Sequence, residues 1–173
     1  MVQNAKKPAG LIGDLLESPL FIFEDERVLL LKKVEGKFGG GKWNGLGGKR
    51  EPGESSYDCA AREAFEESGL HVRSLVHHGA LEFHPAGNPG GGWTVDVFST
   101  RKYSGVLTQG DEGELRWFKI EEIPYREMWE DDREWLPLVL KGRKFSGVFR
   151  FDADWRTLLG HELRDEGKAR IAR

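Results

Sequence analysis

The stretch that decides the fold is 48-GKREPGESSYDCAAREAFEESGL-70, where a loop containing glycine and proline leads into a helix pattern. Ser55 is a favourable N-cap residue, and Asp58 follows it three residues later in the manner of a capping box. Gly69 supplies the left-handed stop that commonly ends a helix. Together these residues predict a helix over 55–68.

This helix carries an apolar face and an acidic face. At about 100° per residue, four side chains fall together on the face that we expect to pack on the core. They are Tyr57, Ala61, Ala64 and Phe65. Glu63, Glu66 and Glu67 share another arc at i, i+3 and i+4, where like charges repel by about 0.2–0.5 kcal/mol per pair. Glu66 and Glu67 also lie in the last turn, beside the negative end of the helix dipole.

Carboxylates in such unfavourable positions point to a partner of opposite charge. A divalent cation would supply it, and an all-oxygen ligand set favours Mg²⁺ or Mn²⁺ over zinc. The alternative is a solvated acidic face in which Arg62 pairs with Glu66 at i, i+4. On the helix residues alone, both interpretations stay open.

Composition narrows the class of protein. The chain has 173 residues, 38% of them hydrophobic and 32% charged, so we expect one domain with a real core. The single cysteine, Cys59, permits neither an internal disulfide nor a cysteine-rich zinc site, which suits a reducing cytoplasm. A net charge of -3 disfavours a duplex nucleic acid as partner. No stretch approaches the ~20 apolar residues that span a membrane.

Strand patterns outnumber helix patterns, so the sequence predicts an α+β domain. The predicted strands are 19–23, 27–33, 72–83, 93–100, 114–120, 148–151 and 157–163. A second helix is expected over 132–141, with Pro137 absorbed by its first turn or by a kink. We expect an N-terminal extension over 1–17, the domain itself over 18–164, and a charged tail over 165–173 that frays.

The spacing of the fixed residues in the opening stretch resembles the Nudix box, the signature of Nudix hydrolases. Gly48, Glu54, the run from Arg62 to Glu67 and the pair Gly69-Leu70 occupy its positions, and only Ala64 is smaller than the usual aliphatic residue. The resemblance implies a Nudix fold, with a central mixed β-sheet sandwiched between helices. It also implies hydrolysis of a nucleoside diphosphate linked to another group.

The same resemblance implies Mg²⁺ as the cofactor, with Mn²⁺ as an alternative. The implied metal ligands are Glu63, Glu66, Glu67, Glu112 and the carbonyl of Gly47. Arg62 and Glu54 would orient these carboxylates through hydrogen bonds, which completes the implied catalytic set. Glu112 would ligate the metal or act as the general base, the alternative being an exposed acid in a turn.

The resemblance covers about residues 18–164. Within the family, the chain is similar in detail to the oxidised purine nucleoside triphosphatases of the MutT-homologue type. The segments 41-GKWNGLGGK-49 and 128-MWEDD-132 carry this similarity. The implied substrate-binding residues are Ser18, Lys33, Phe38, Asn44, Leu46, Gly47, Gly48, Lys49, Phe83, Trp129, Glu130, Asp131 and Asp132. One departure is Trp93, which stands where this subfamily commonly has methionine.

In that subfamily, the residues matching Asn44, Asp131 and Asp132 face the purine edge. Two carboxyls crowded in an apolar pocket do not both ionise readily, so one would keep a proton and donate it. Oxidation at C8 turns N7 of guanine from an acceptor into an N–H donor, which a carboxylate accepts. The alternative for Asp131 and Asp132 is a helix N-terminus, where aspartate is a favourable cap.

The predicted function is hydrolysis of oxidised purine nucleoside triphosphates, such as 8-oxo-dGTP and 2-hydroxy-dATP, to the monophosphate and diphosphate. One alternative is a Nudix hydrolase of a nucleotide sugar, a dinucleoside polyphosphate or an RNA cap. Another is a non-catalytic nucleotide-binding module, although such modules usually lack box carboxylates. We expect a cytoplasmic monomer whose partner is a small nucleotide, with no membrane association.

Overall fold

The computed structural model describes residues 16–88 and 90–172, which form two α-helices and twelve β-strands. The helices are α1 (Ser56–Ser68) and α2 (Asp132–Leu140). The strands are β1 (Leu16–Glu17), β2 (Leu20–Glu24), β3 (Arg27–Lys33), β4 (Trp43–Asn44), β5 (Leu70–Arg73), β6 (Val76–Pro85), β7 (Trp93–Thr100), β8 (Lys102–Gly105), β9 (Gly113–Lys119), β10 (Arg143–Phe151), β11 (Leu158–Lys168) and β12 (Arg170–Ile171).

Ten of the described strands form one mixed sheet. Its main path runs β11-β10-β6-β7-β2-β3-β4, while β1, β12 and β9 pair with β7, β6 and β3 respectively. Strand β2 is parallel to β7 and β10 is parallel to β6, whereas β2 and β3 form an antiparallel hairpin. Strands β5 and β8 form a separate two-stranded sheet.

The two helices cover opposite faces of the large sheet. Along β2, Phe21 and Phe23 pack with the buried side chains of α2, whereas Leu20 and Ile22 pack with those of α1. This alternation follows from the strand geometry, in which successive side chains point to opposite faces. The predicted α+β fold with a mixed sheet between helices is therefore confirmed.

Helix α1 begins and ends as the sequence predicted. Ser55 is the N-cap, and its Oγ accepts the backbone N–H of Asp58 at 3.1 Å. At the other end, Gly69 adopts a φ of 72° and donates its N–H to the carbonyl of Phe65 at 2.8 Å. The cap and the stop place Glu63, Glu66 and Glu67 at fixed positions relative to the preceding loop.

The predicted core face of α1 is wrong in one important respect. Phe65 is 47% exposed and stacks on His71, with ring centroids 4.4 Å apart. The residues of α1 that are buried are Cys59, Ala60, Ala64, Glu67 and Ser68. The helix is rotated so that Glu67 points inward, because its carboxylate binds the backbone of the neighbouring glycine loop.

Two strand predictions also differ from the structure. The single strand expected over 72–83 is divided between β5 and β6, because Ser74 adopts a left-handed φ of 53° between them. Strand β8 was not predicted, and it pairs with β5 in the small sheet. In α2, Pro137 lies beyond the first turn of the helix.

The paired strands extend past both expected ends of the domain. The tail expected to fray is instead paired: β11 continues to Lys168 beside β10, and β12 pairs with β6. A charged segment can form a strand because backbone hydrogen bonds between strands need no apolar side chains. Ion pairs between β10 and β11, such as Arg143–Asp165 (3.0 Å), accompany the pairing. At the other end, Leu16 and Glu17 of the expected extension pair with β7. The rest of the extension (1–15) and Arg173 lie outside the described residues, and no described helix is long and apolar enough to cross a membrane.

Candidate active site

The glycine loop that follows β4 forms the floor of the site. It is held against the start of β2, where Leu20 and Leu46 exchange backbone hydrogen bonds of 2.6 and 3.0 Å and Ser18 N–H donates to the Gly48 carbonyl. Gly47 has a φ of 141°, and a Cβ there would lie 2.5 Å from the Ser18 carbonyl oxygen. A Cβ on Gly48 would lie 2.7 Å from the carboxylate of Glu63. The two glycines therefore allow α1 and its acids to approach the backbone closely.

Glu67 is the most buried acid of α1, with 6% of its surface exposed. Its Oε2 accepts the backbone N–H of Gly47 at 2.8 Å. Burial raises the pKa of Glu67 to about 7, and the nearby carboxylates of Glu63 and Glu112 act in the same direction. The Gly47 N–H and the Lys33 ammonium partly oppose this rise in pKa.

Arg62 connects the loop acid to the helix acids. Its Nε and Nη2 donate to the two carboxylate oxygens of Glu54 at 2.8 and 2.9 Å, and its Nη1 donates to Glu63 at 2.7 Å and to Glu66 at 3.1 Å. The Arg62 guanidinium holds the pKa of Glu54 at about 2. Burial raises the pKa of Glu63 despite the same guanidinium. Arg62 thus links Glu54 to Glu63 through hydrogen bonds, and the orienting role of this pair stays a prediction.

The carboxylates of α1 are suitable ligands for a divalent cation, but two of them form ion pairs with Arg62. Within residues 16–88 and 90–172, no group of three or more His, Cys, Asp or Glu side chains is arranged to hold a metal ion as it stands. Glu63 and Glu66 face Arg62 instead, and Glu66 is exposed. Yet Glu63 and Glu67 are oxygen donors whose negative charge is disfavoured by burial, and a cation beside Gly47 and Gly48 would compensate it.

Glu112 lies at the edge of this cluster. It is exposed and forms an ion pair with Lys37 of the glycine-rich segment before β4. Its charge is one of those that raise the pKa of Glu67. An exposed turn acid and a residue near the metal ligands are both compatible with this placement, so its role stays a prediction.

A cavity of about 370 Å³ opens on the other side of the glycine loop. Ten of the predicted substrate-binding residues line it: Lys33, Phe38, Asn44, Gly47, Gly48, Lys49, Phe83, Trp129, Asp131 and Asp132. The structure does not bring Ser18, Leu46 or Glu130 into its wall. Ser18 and Leu46 are fully buried, and Glu130 accepts the backbone N–H of Leu158 at 2.7 Å. The loop at Gly47 and Gly48 is shared between the cavity and the acidic cluster.

The polar end of the cavity is a pair of buried carboxyls. Asp131 accepts the indole N–H of Trp135 at 2.8 Å, and Asp132 accepts the backbone N–H of Trp129 at 3.0 Å. Burial raises the pKa of both groups, and for Asp132 the adjacent Asp131 raises it further. Asp131 is the N-cap residue of α2, but its side chain makes no capping hydrogen bond. Both carboxyls therefore line the cavity, burial favours their protonated forms, and their part in base recognition stays a prediction.

Eight of the twenty residues that line the cavity are aromatic. Phe38 and Trp129 lie with ring centroids 5.2 Å apart, and Lys42 Nζ is 5.2 Å from the centroid of Trp129. Asn44 donates its amide to the Lys42 carbonyl at 2.8 Å, which fixes the orientation of that amide beside the cavity. Such a wall suits a flat, polarisable ligand whose edge carries hydrogen-bonding groups.

Comparison with known proteins places the chain in a family. The family model for the Nudix domain matches residues 18–139. The chain belongs to the Nudix family. An oxidized purine nucleoside triphosphate hydrolase of Mus musculus is 40% identical over 146 residues, which are 84% of this chain and 92% of the relative. A protein of the same name from Danio rerio is 39% identical over 149 residues, 86% of this chain and 90% of the relative.

A solved Nudix-type structure supports the same assignment. The crystal structure of the mutator MutT protein from Bacillus halodurans matches with a TM-score of 0.77 and 28% identity, over 86% of this chain and 97% of that one. The resemblance drawn from the box residues is thereby confirmed at the level of the family. The roles of individual Nudix site residues stay predictions.

Sequence reasoning missed several residues of the Nudix cavity. Besides the predicted residues, its wall includes Glu17, Trp135, Phe151 and Trp155. Glu17 reaches it because β1 pairs with β7, and a strand of two residues is too short to show a sequence pattern. Trp155 carried a weak signal, since a tryptophan inside the polar turn 152-DADWRT-157 is unusual for an exposed loop.

Arg62 offers a test of the Nudix box geometry. Arg62→Lys keeps the charge but loses the paired hydrogen bonds to Glu54, so Glu63 would no longer be held in place. We expect kcat to fall by about 10- to 100-fold, the usual scale when residues that orient metal ligands are changed. The measurement is diphosphate release at saturating Mg²⁺, with exposed Arg73→Lys on β5 as the matched control. Unchanged turnover in Arg62→Lys would contradict the orienting role.

Proposed function

We propose that this Nudix protein is a Mg²⁺-dependent pyrophosphohydrolase that converts oxidised purine nucleoside triphosphates to the monophosphate and diphosphate. The observation that carries the proposal is the shared loop: Gly47 and Gly48 contact the acidic cluster on one side and line the aromatic cavity on the other. A base in the cavity would therefore leave its phosphates beside the acids. The relatives from Mus musculus and Danio rerio, named for this activity, support the same substrate class.

Base recognition would rest on the buried carboxyls. A carboxylate of the pair accepts the N7–H that oxidation creates in 8-oxoguanine, and the protonated partner donates to a neighbouring acceptor on the same edge. Exchange of that single proton within the pair would let Asp131 and Asp132 also accommodate 2-hydroxyadenine. Trp129 and Phe38 would contact the faces of the base, and the Asn44 amide would bind its edge.

Hydrolysis would rest on the cluster around α1. Glu63, Glu66, Glu67, Glu112 and the Gly47 carbonyl would hold Mg²⁺, with Mn²⁺ as an alternative. When bound, the metal supplies charge stabilisation at the bridging phosphate oxygens and a more acidic water. Arg62 and Glu54 would orient Glu63, Lys33 would contribute positive charge beside the cavity, and Glu112 would accept the proton of the attacking water if it does not ligate the metal. Residues 18–164 would carry this activity.

A nucleotide panel tests the proposal. We expect Mg²⁺-dependent release of diphosphate from 8-oxo-dGTP and 2-hydroxy-dATP, with kcat/KM at least ~10-fold above dGTP and dATP, because unpaired buried polar groups penalise the unmodified bases. Activity should disappear with EDTA and return with Mg²⁺ or Mn²⁺. Preference for a nucleotide sugar, a dinucleoside polyphosphate or a capped RNA would favour the rival Nudix hydrolase. Binding without any turnover would favour the non-catalytic module.

We also propose where this activity takes place and in which oligomeric state. One cysteine that is buried and whose pKa is raised to about 11 by burial suits a reducing cytoplasm, where no disulfide is required. We propose a monomer, because the cavity and the acidic cluster are both built from one chain. Sedimentation at micromolar protein concentration measures the oligomeric state directly.

A further inference from the structure

The turn between β10 and β11 presents a tryptophan in an unusual backbone conformation. Trp155 has a φ of 60°, and among the described residues only Asp25 and Ser74 are other non-glycine residues with positive φ. For a bulky side chain this left-handed conformation is a genuine outlier. Although Trp155 lies in a turn between two strands, only 6% of its surface is exposed. Residues held in this way concentrate where surrounding structure requires a particular side-chain position.

Asp152 holds this turn in shape. Its Oδ1 accepts the backbone N–H of Arg156 at 2.7 Å, and its carbonyl accepts the N–H of Trp155 at 3.1 Å. Its own N–H donates to the Thr157 carbonyl at 2.9 Å and closes the hairpin. Just beyond the turn, the bond from Leu158 N–H to Glu130 ties β11 to the segment that carries the carboxyl pair.

The indole of Trp155 completes an aromatic corner of the cavity. It stacks on Trp93 with centroids 4.1 Å apart and rings inclined by 28°. It also meets the ring of Phe38 edge-on at 6.3 Å and lies 5.7 Å from Phe151. All four rings line the cavity, so Trp155 both contributes to the wall and packs against Trp93.

We infer that Trp155 is a specificity-determining residue, and that with Trp93 it limits the cavity to a base of two fused rings. This inference rests on the proposed function for its substrate class and adds the feature that sets the upper size of the base. Replacing the indole with a small side chain would leave a void the size of a ring system beside Trp93. Asp152 is a positioning residue, which acts by holding Trp155 in place.

Competition between bases of different size tests the inference. The probes are 2-hydroxy-dATP, with two fused rings, and 1,N6-etheno-dATP, with three. We expect Trp155→Asn to raise kcat/KM for the etheno nucleotide relative to 2-hydroxy-dATP at least ~10-fold, since pocket contacts of one small group already change selectivity by that scale. Asparagine tolerates the left-handed backbone, so the turn is retained. Trp155→Phe, which keeps an aromatic core contact, should shift the ratio less and in the same direction.

Two further variants separate positioning from general destabilisation. Asp152→Ala should shift the ratio in the direction of Trp155→Asn, while Asp152→Asn keeps an acceptor oxygen for Arg156 N–H and should restore it. Trp117→Phe changes a half-buried tryptophan on β9 outside the cavity, so its ratio should equal that of the wild type. A shift in the control as large as that in Trp155→Phe would overturn the inference.

The outcomes also distinguish this inference from the proposed function. If the wild type hydrolyses oxidised purine triphosphates but neither Trp155 variant changes the ratio, the inference fails and the function stands. If the wild type hydrolyses none of them, the function fails, and equilibrium titration with 2-hydroxy-dAMP and 1,N6-etheno-dAMP decides the inference. A changed affinity ratio in Trp155→Asn then supports it. An unchanged ratio, or no binding by the wild type, overturns it.

Discussion

Glu67→Gln is expected to lower kcat at saturating Mg²⁺ by at least ~10²-fold while the fold is retained, the scale seen when one group that stabilises developing charge is removed. The substitution keeps the shape of the side chain, and the amide oxygen still accepts the Gly47 N–H. What it removes is a buried negative charge beside the glycine loop. The measurement is turnover of 8-oxo-dGTP over a range of Mg²⁺ concentrations, with the melting temperature recorded in parallel.

The same variant has a second, opposite consequence for stability. Because burial disfavours the charged form of Glu67, and Glu63 repels it, the metal-free variant should be as stable as the wild type or slightly more stable. Exposed Glu121→Gln serves as the control and should change neither property. Near-normal turnover of Glu67→Gln at saturating Mg²⁺ would remove Glu67 from the metal site.

Asp132→Asn is expected to lower kcat/KM for oxidised purine triphosphates by at least ~10²-fold, about 3 kcal/mol, as when a buried site leaves a polar group unpaired. The amide still forms hydrogen bonds, but it cannot exchange a proton with Asp131. Asp131→Asn makes the parallel change and should have a loss of similar size. Turnover of 8-oxo-dGTP against dGTP measures both losses, and Mg²⁺ affinity should stay unchanged.

A helix-cap role for these carboxyls would give the inverse pattern. Asparagine caps about as well as aspartate, so both Asn variants would be nearly silent, whereas Ala variants would lose ~1 kcal/mol of stability. The pH dependence of stability provides a second measurement. Since burial raises the pKa of Asp131 in the folded state, wild-type stability should fall as the pH rises above the unfolded pKa near 3.8. Asp131→Asn should reduce this slope, and the part that comes from buried Asp132 and Glu67 should remain. Silent Asn variants with an unchanged slope would contradict the proton-sharing pocket.

Local sequence was sufficient wherever a short, regular spacing dictated the geometry. The Ser55 cap and the Gly69 stop define α1, because capping and left-handed termination depend on residues only a few positions apart. Within those limits the spacing of the acids places Glu63 and Glu67 on the turn that approaches Gly47 and Gly48. The family follows from the same spacing, whereas the two faces of β2 follow from the alternation of side chains along a strand.

Periodicity alone could not determine which side of α1 is buried. By apolar content the face with Phe65 is the better core face, but the hydrogen bond from Gly47 to Glu67 and the packing of Ala60 and Ala64 on β2 rotate the helix the other way. A buried carboxylate is unfavourable by itself, and here it is stabilised by the Gly47 N–H and the Lys33 ammonium, both distant in the chain. The periodicity of hydropathy along a helix therefore cannot predict that interaction.

The sequence by itself therefore determined the Nudix box, the two helices, the α+β class and half of the residues that line the cavity. The tertiary structure alone decided how the cavity is closed. Trp93 and Trp155 are far apart in the chain, and they stack because β10 lies parallel to β6 while the Asp152 turn directs Trp155 inward. It also decided that the charged tail is a paired strand. These features depend on contacts between distant segments, whose free energy is a property of the assembled fold and not of any local pattern.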